Sequence, residues 1–139
     1  MISAAVSNEF ESHRITLATG GKSHAIEIGS RATGYGSLAN GGELLCLALA
    51  TCYCNDVYRE AGKRGIEVNG VDVEVQAEFG AEGEPASHLS YRATVRANAP
   101  EDVIADLIRH TDSVAEVQNT LRLGMPMLLE SFEAISTKG

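Results

Sequence analysis

Two stretches near the start of the chain alternate apolar with polar side chains, residues 13–19 loosely and 24–28 clearly. The Gly20-Gly21 pair between them has the composition of a turn, so two short strands are expected. Residues 29–42 hold five glycines and no period, which predicts a connector of the kind that often borders a site. From Asn40 the pattern becomes helical. Asn is a good N-cap, and Glu43 stands three residues on, where its carboxylate can reach back to the cap amide. Apolar residues fill every side through Ala50, which predicts burial all round, and residues 55–60 turn amphipathic. Lys63-Arg64-Gly65 supplies the basic last turn and following glycine that a helix C-terminus favours. A helix of about 25 residues would run ~37 Å. That is long for a small domain, and it predicts a central element shared with a second subunit.

Beyond the helix, Val71, Val73, Val75, Ala77 and Phe79 alternate with acidic and amide side chains. Leu89, Tyr91, Ala93, Val95 and Ala97 alternate with a second polar set that includes Arg92 and Arg96. Both read as antiparallel strands with one wet face, joined by a hairpin loop holding Gly83 and Pro85. Pairing about that loop sets acidic side chains opposite Arg92 and Arg96, as cross-strand partners on a solvent face. Pro100 opens a helix, with Glu101 and Asp102 at its positive end. A second helix is expected over 113–123, stopped by Gly124, and a last strand over 127–136. Strands, long helix, strands, two helices and a strand make an α+β fold.

Composition narrows the function. A chain of 139 residues, 44% of them hydrophobic, is expected to form a single domain over 1–139 with a real core. A net charge of −8 with 11 Lys plus Arg argues against a nucleic-acid partner, because phosphate binding needs a basic face. No basic start followed by an apolar run marks residues 1–20, and the longest apolar stretch, 44–54 interrupted only by Thr51, is far short of the ~20 residues that span a bilayer. Neither export nor a membrane partner is expected. The three cysteines, Cys46, Cys52 and Cys54, lie too close together for a secreted disulfide framework. A cytoplasmic protein with reduced thiols fits these features.

The thiols are the candidate chemistry. Cys52 and Cys54 point to nearly opposite sides of a helix, and Cys46 is about 240° round and ~9 Å along the axis from Cys52. Disulfide closure needs Cα atoms within ~7 Å, so no pair can close while the helix persists. His13, His24, His88 and His110 fall on four separate elements without ligand spacing, so no metal is expected. No phosphate loop, Ser-His-Asp signature or nucleotide fingerprint is present, and no cofactor is expected.

The run Asn40-Gly41-Gly42-Glu43-Leu44-Leu45-Cys46-Leu47-Ala48-Leu49-Ala50-Thr51-Cys52, with its Lys63-Arg64-Gly65-Ile66 exit into a Val-rich strand, resembles the reactive-cysteine helix of the OsmC/Ohr family of peroxide-handling proteins. Residues 117–124 are similar to the segment after that family's second cysteine. The resemblance implies an OsmC-like fold: antiparallel sheets on a long central helix, in an intertwined homodimer with sites at the interface. It implies Cys52 as the peroxidatic cysteine. The resolving position falls on Ala115, with Glu116 in place of the usual proline. Gly42 stands where one branch of the family has its glutamate, and Glu43 matches a glutamate of other branches. The family's activating arginine comes from the N-terminal region. Arg14, Lys22 and Arg31 are candidates there, with Lys22 closest in local pattern. Lysine supplies charge without the planar two-point hold of arginine.

Two functions follow from the resemblance. One is thiol-dependent reduction of organic hydroperoxides at Cys52, with an external thiol as reductant. The other is a non-catalytic homodimer that binds a small apolar ligand in the interface cavity. For Glu43 the capping role and a role in orienting a basic residue both remain open.

Overall fold

The computed structural model describes residues 1–138. The chain forms two compact units, Met1–Ala48 with Val75–Ser90, and Leu49–Glu74 with the chain from Tyr91 onward.

In the first unit, β1 (Ile2–Glu9), β2 (Ser12–Thr19) and β3 (Lys22–Ile26) form an antiparallel meander in that order. The β2–β3 register closes at Thr19↔Lys22 around Gly20 (φ 57°) and Gly21 (φ 83°). A two-residue hairpin turn with both φ values positive matches the twist of the strands and selects glycine at both places. β1 was not foreshadowed by alternation. It is exposed along its whole length and is held by its ladder to β2, from Ile2↔Thr19 to Glu9↔Ser12.

The glycine-rich connector is tied to the β1–β2 turn. The Glu11 amide donates to the Gly34 carbonyl at 2.7 Å, the Gly36 amide donates to Asn8 Oδ1 at 3.1 Å, and the Phe10 and Tyr35 rings pack tilted by 50° with centres 5.3 Å apart. Gly34 has φ 90°, and a Cβ there would collide with the Phe10 ring. Tyr35 is exposed.

Helix α1 (Gly41–Arg64) starts and stops where its caps require. Glu43 N–H donates to Asn40 Oδ1 at 2.8 Å and Asn40 N–H to Glu43 Oε1 at 3.0 Å, a complete capping box. At the other end Gly65 takes φ 66° and the Ile66 amide donates to the Ala61 carbonyl at 2.9 Å. Within the single chain the start of the helix is not buried all round, since Leu47 is 56% exposed. The buried residues are Leu49, Tyr53, Asp56, Val57, Glu60 and Ala61, a stripe at three- and four-residue spacing. Among the described residues Leu47 is left largely uncovered.

β4 (Glu67–Phe79) and β5 (Ala86–Asn98) make the two-stranded second sheet. The expected cross-strand pairs form on its exposed face, Arg96 with Asp72 and Arg92 with Glu74. In the second unit Tyr53, Val57 and Ala61 of α1, Val95 of β5 and Leu107 of α2 (Glu101–Val114) build the core, flanked by Val71, Val73, Ile104 and Ile108.

Two expectations near the C-terminus change. The second helix, α3, spans Glu116–Leu123 rather than starting at residue 113, because α2 continues to Val114 and the chain breaks only at Ala115 (φ −73°, ψ 110°). The last turn of α2 holds no basic residue of its own. Its end carbonyls are instead met by side chains from elsewhere: Arg122 donates to Asp112, Asn119 to Ser113 and Arg59 to Val114. α3 ends at Gly124 in the left-handed conformation (φ 72°), as its sequence predicts. The strand expected over 127–136 does not form. Met127, Leu128, Leu129 and Phe132 there are exposed, and the segment pairs with none of the described strands.

Candidate functional site

Cys52 lies one turn before Asp56 on α1, and Arg59 lies a further turn on, so spacings of four and three put all three on one face. The break at Ala115 brings Glu116, the first residue of α3, to the same place. The half-buried Cys52 thiol donates to Asp56 Oδ2 at 3.5 Å and lies 3.9 Å from Glu116 Oε1. Arg59 binds across the carboxylates. Its Nη1 is 2.6 Å from Glu116 Oε2 and 3.1 Å from Asp56 Oδ1, and its Nε is 2.8 Å from Glu60 Oε2. Glu60 is also held by Lys63 Nζ at 3.0 Å and by His110 Nε2 at 2.8 Å. Two acidic side chains thus occupy the buried stripe of α1, and basic partners make this tolerable.

The electrostatics follow from this layout. Burial pushes the Cys52 thiol up from its ordinary value, and the carboxylates of Asp56 and Glu116 push the same way. The Val117 backbone amide, at the N-terminus of α3, pulls against them. Burial also raises Asp56, helped by its neighbour Glu116 and opposed by Arg59. Glu116 is lowered by its hydrogen bond with Asp56, by its own helix-start amide and by Arg59. Glu60 falls to about 2, mainly through its bond with Arg59 and then through Lys63 and His110. The thiol is therefore kept protonated at neutral pH, next to a carboxyl group with raised proton affinity.

Cys52 Sγ and carboxylate oxygens of Asp56 and Glu116 all lie within 4.8 Å of one another, a spacing that could hold a cation. Arg59 already satisfies both carboxylates, so the cluster carries its own counter-charge. The four histidines lie on β2, β3, β5 and α2, as separate as expected.

Of the other residues named from the sequence, Glu43 is engaged in the capping box and Lys22 opens β3 opposite Thr19, exposed. Arg31 Nε donates to the Ser37 carbonyl at 3.1 Å, and Arg14 is exposed on β2 opposite Ser7. Ala115 is fully buried at the α2–α3 break. Asp56, Arg59 and Glu116 as partners of Cys52 were missed. The signal for the first two was in the chain, at i+4 and i+7 from Cys52. Glu116, 64 residues away, had none in the spacing of the chain, and only the family resemblance, which puts it beside the resolving position, pointed to it.

The chain is thus an α+β protein with antiparallel sheets and a 24-residue helix that carries Cys52 among charged side chains. The sequence profile of the OsmC-like proteins matches residues 34–130, and the chain belongs to that family. Solved structures agree on the fold. An organic hydroperoxide resistance protein from Elizabethkingia anophelis is 15% identical, covering 89% of each chain with a TM-score of 0.61. OhrB of Bacillus subtilis, also named an organic hydroperoxide resistance protein, is 13% identical over 89% of this chain and 92% of its own, with a TM-score of 0.55. An OsmC-like protein from Mycoplasma pneumoniae is 15% identical over 86% and 87%, with a TM-score of 0.59. No curated protein matches the chain. Among the described residues no helix is long and apolar enough to cross a membrane.

Proposed function

We propose that the chain reduces organic hydroperoxides through Cys52 alone, with an external thiol as reductant. The observation that carries this is the position of the Cys52 sulfur, which faces hydrogen-bonding groups from two helices. Among the described residues Cys46 and Cys54 make no such bonds. In the reaction the sulfur attacks the distal peroxide oxygen, the O–O bond breaks and an alcohol leaves. Cys52 becomes a sulfenic acid. With alanine at position 115, no cysteine follows at the family's second place. One external thiol then displaces water to form a mixed disulfide, and a second frees Cys52 as a thiol while forming the external disulfide. We place this activity in a cytoplasmic homodimer in which a second copy covers the Leu47 side of α1. Lys22 and Glu43 are carried over from the family pattern as its remaining site residues.

The second reading is a non-catalytic homodimer that binds a small apolar ligand. The upward push on the Cys52 thiol favours it, because the thiolate is the nucleophile and is scarce here. Intact mass after brief exposure to one equivalent of cumene hydroperoxide separates the two. Added oxygen on the wild type and none on Cys52→Ser supports reduction. No addition to either protein refutes it and leaves ligand binding.

A further inference from the structure

We propose that Asp56 relays the proton in this chemistry, taking it from Cys52 as the sulfur attacks and giving it to the departing alkoxide, while Arg59 and Glu116 position the relay. The inference rests on the hydroperoxide reading above.

The geometry divides the two oxygens of Asp56. Oδ1 is fixed by Arg59 Nη1 at 3.1 Å, and Oδ2 faces the Cys52 sulfur at 3.5 Å, within reach of a thiol hydrogen bond. The side chain is only 8% exposed, so bulk water competes poorly for that proton. Arg59 is itself held by Glu116 at 2.6 Å and Glu60 at 2.8 Å and donates to the Val114 carbonyl at 3.4 Å. Its guanidinium is spent on carboxylates and a helix end. Among the described residues Arg59 makes no bond to the sulfur, so it does not serve as a thiolate-stabilising cation in direct contact. With two carboxylates beside it, Cys52 enters the reaction as a thiol, and the proton must leave during attack. Asp56 is the group placed to receive it. Burial raises its proton affinity, which suits a group that must both accept and return a proton.

The step balances. The S–H bond breaks and the proton passes to Asp56 Oδ2. An S–O bond forms to the distal oxygen, which keeps its hydrogen. The O–O bond breaks and its electron pair stays on the alkoxide oxygen, which takes the proton back from Asp56. The sulfur is oxidised to a sulfenic acid, the hydroperoxide is reduced to an alcohol, and Asp56 ends as it began. Asp56 is a catalytic residue in this scheme. Arg59 and Glu116 act through it.

Asp56→Asn keeps the shape and removes the charge, and two rates at the same sulfur then move apart. Alkylation of Cys52 by iodoacetamide at pH 7, followed on its peptide, should become faster, because a carboxylate that disfavours the thiolate is gone. Oxidation of Cys52 by cumene hydroperoxide, followed by trapping the sulfenic acid with dimedone, should fall on the order of a hundredfold, the typical worth of a positioned proton donor and acceptor. If both rates rise together, Asp56 is merely a repulsive charge and the relay is overturned. Should the variant not fold, the solvent isotope effect on the wild-type oxidation decides. A clear normal effect supports a proton in flight, and no effect overturns it. A wild type that alkylates at Cys52 but is never oxidised there overturns the hydroperoxide reading and the relay with it. That result is distinct from a wild type that oxidises and an Asp56→Asn that oxidises faster.

Discussion

Replacing Glu116 by Gln tests the electrostatics around Cys52 while leaving the sulfur and Asp56 chemically unchanged. Glu116 Oε1 lies 3.9 Å from Sγ, and the side chain is 63% exposed, so a water-like dielectric is the right choice. At that distance a unit charge in bulk water disfavours the thiolate by about 1 kcal/mol, or about sixfold in its population. Arg59 sits 2.6 Å from the other oxygen of the same carboxylate and offsets part of that field. Glu116→Gln should therefore raise the iodoacetamide rate at Cys52 by about two- to sixfold at pH 7. Freed from Glu116, Arg59 can only act in the same direction. In the wild type the rate should climb about tenfold per pH unit from pH 6 to pH 8, as expected of a thiol pushed above its ordinary value. The measurement is pseudo-first-order alkylation read by mass spectrometry of the Cys52 peptide. An unchanged or slower variant would refute the repulsive role of Glu116. A wild-type plateau below pH 8 would refute the whole account of a thiol held protonated.

Leu107→Ala should be among the costliest core truncations, since Leu107 is fully buried among Tyr53, Val57, Ala61 and Val95. Losing three buried carbons with partial collapse of the cavity costs about 2–5 kcal/mol. The expected drop in thermal midpoint is roughly 7–17 °C for a chain of this size, and a drop under about 3 °C would contradict the described core. Glu60 gives a pH signature. Its carboxyl is lowered from 4.5 to about 2 by Arg59, Lys63 and His110, so its stabilising effect is present above pH 4.5 and is lost as pH falls from there toward 2. Urea midpoints should fall more steeply over that window in the wild type than in Glu60→Gln, and equal slopes would remove Glu60 from the account.

Local features of this protein could be read directly from the sequence, because they depend on neighbours a few residues apart. The Asn40–Glu43 capping box, the Gly65 stop, the Gly20-Gly21 hairpin and the Arg96–Asp72 and Arg92–Glu74 pairs all formed as their spacing required. The family pattern around Cys52 was legible for the same reason, being carried on one helix. Periodicity tells which face of an element is apolar, but it does not tell what will lie against that face. Leu47 looked like core and is exposed, while Asp56 and Glu60 looked like a polar face and are buried. Residues 127–136 had the composition of a strand, yet a strand exists only where another offers its hydrogen bonds. The chemical environment of Cys52 was likewise set by the tertiary fold. α2 ends at Val114 because Arg59, Asn119 and Arg122 satisfy its last carbonyls, and the break that follows delivers Glu116 and the Val117 amide to the sulfur. The sequence alone determined which residue carries the thiol. The packing of α3 against α1 decided that this thiol meets carboxylates, because a contact across 64 residues leaves no trace in the spacing of either segment.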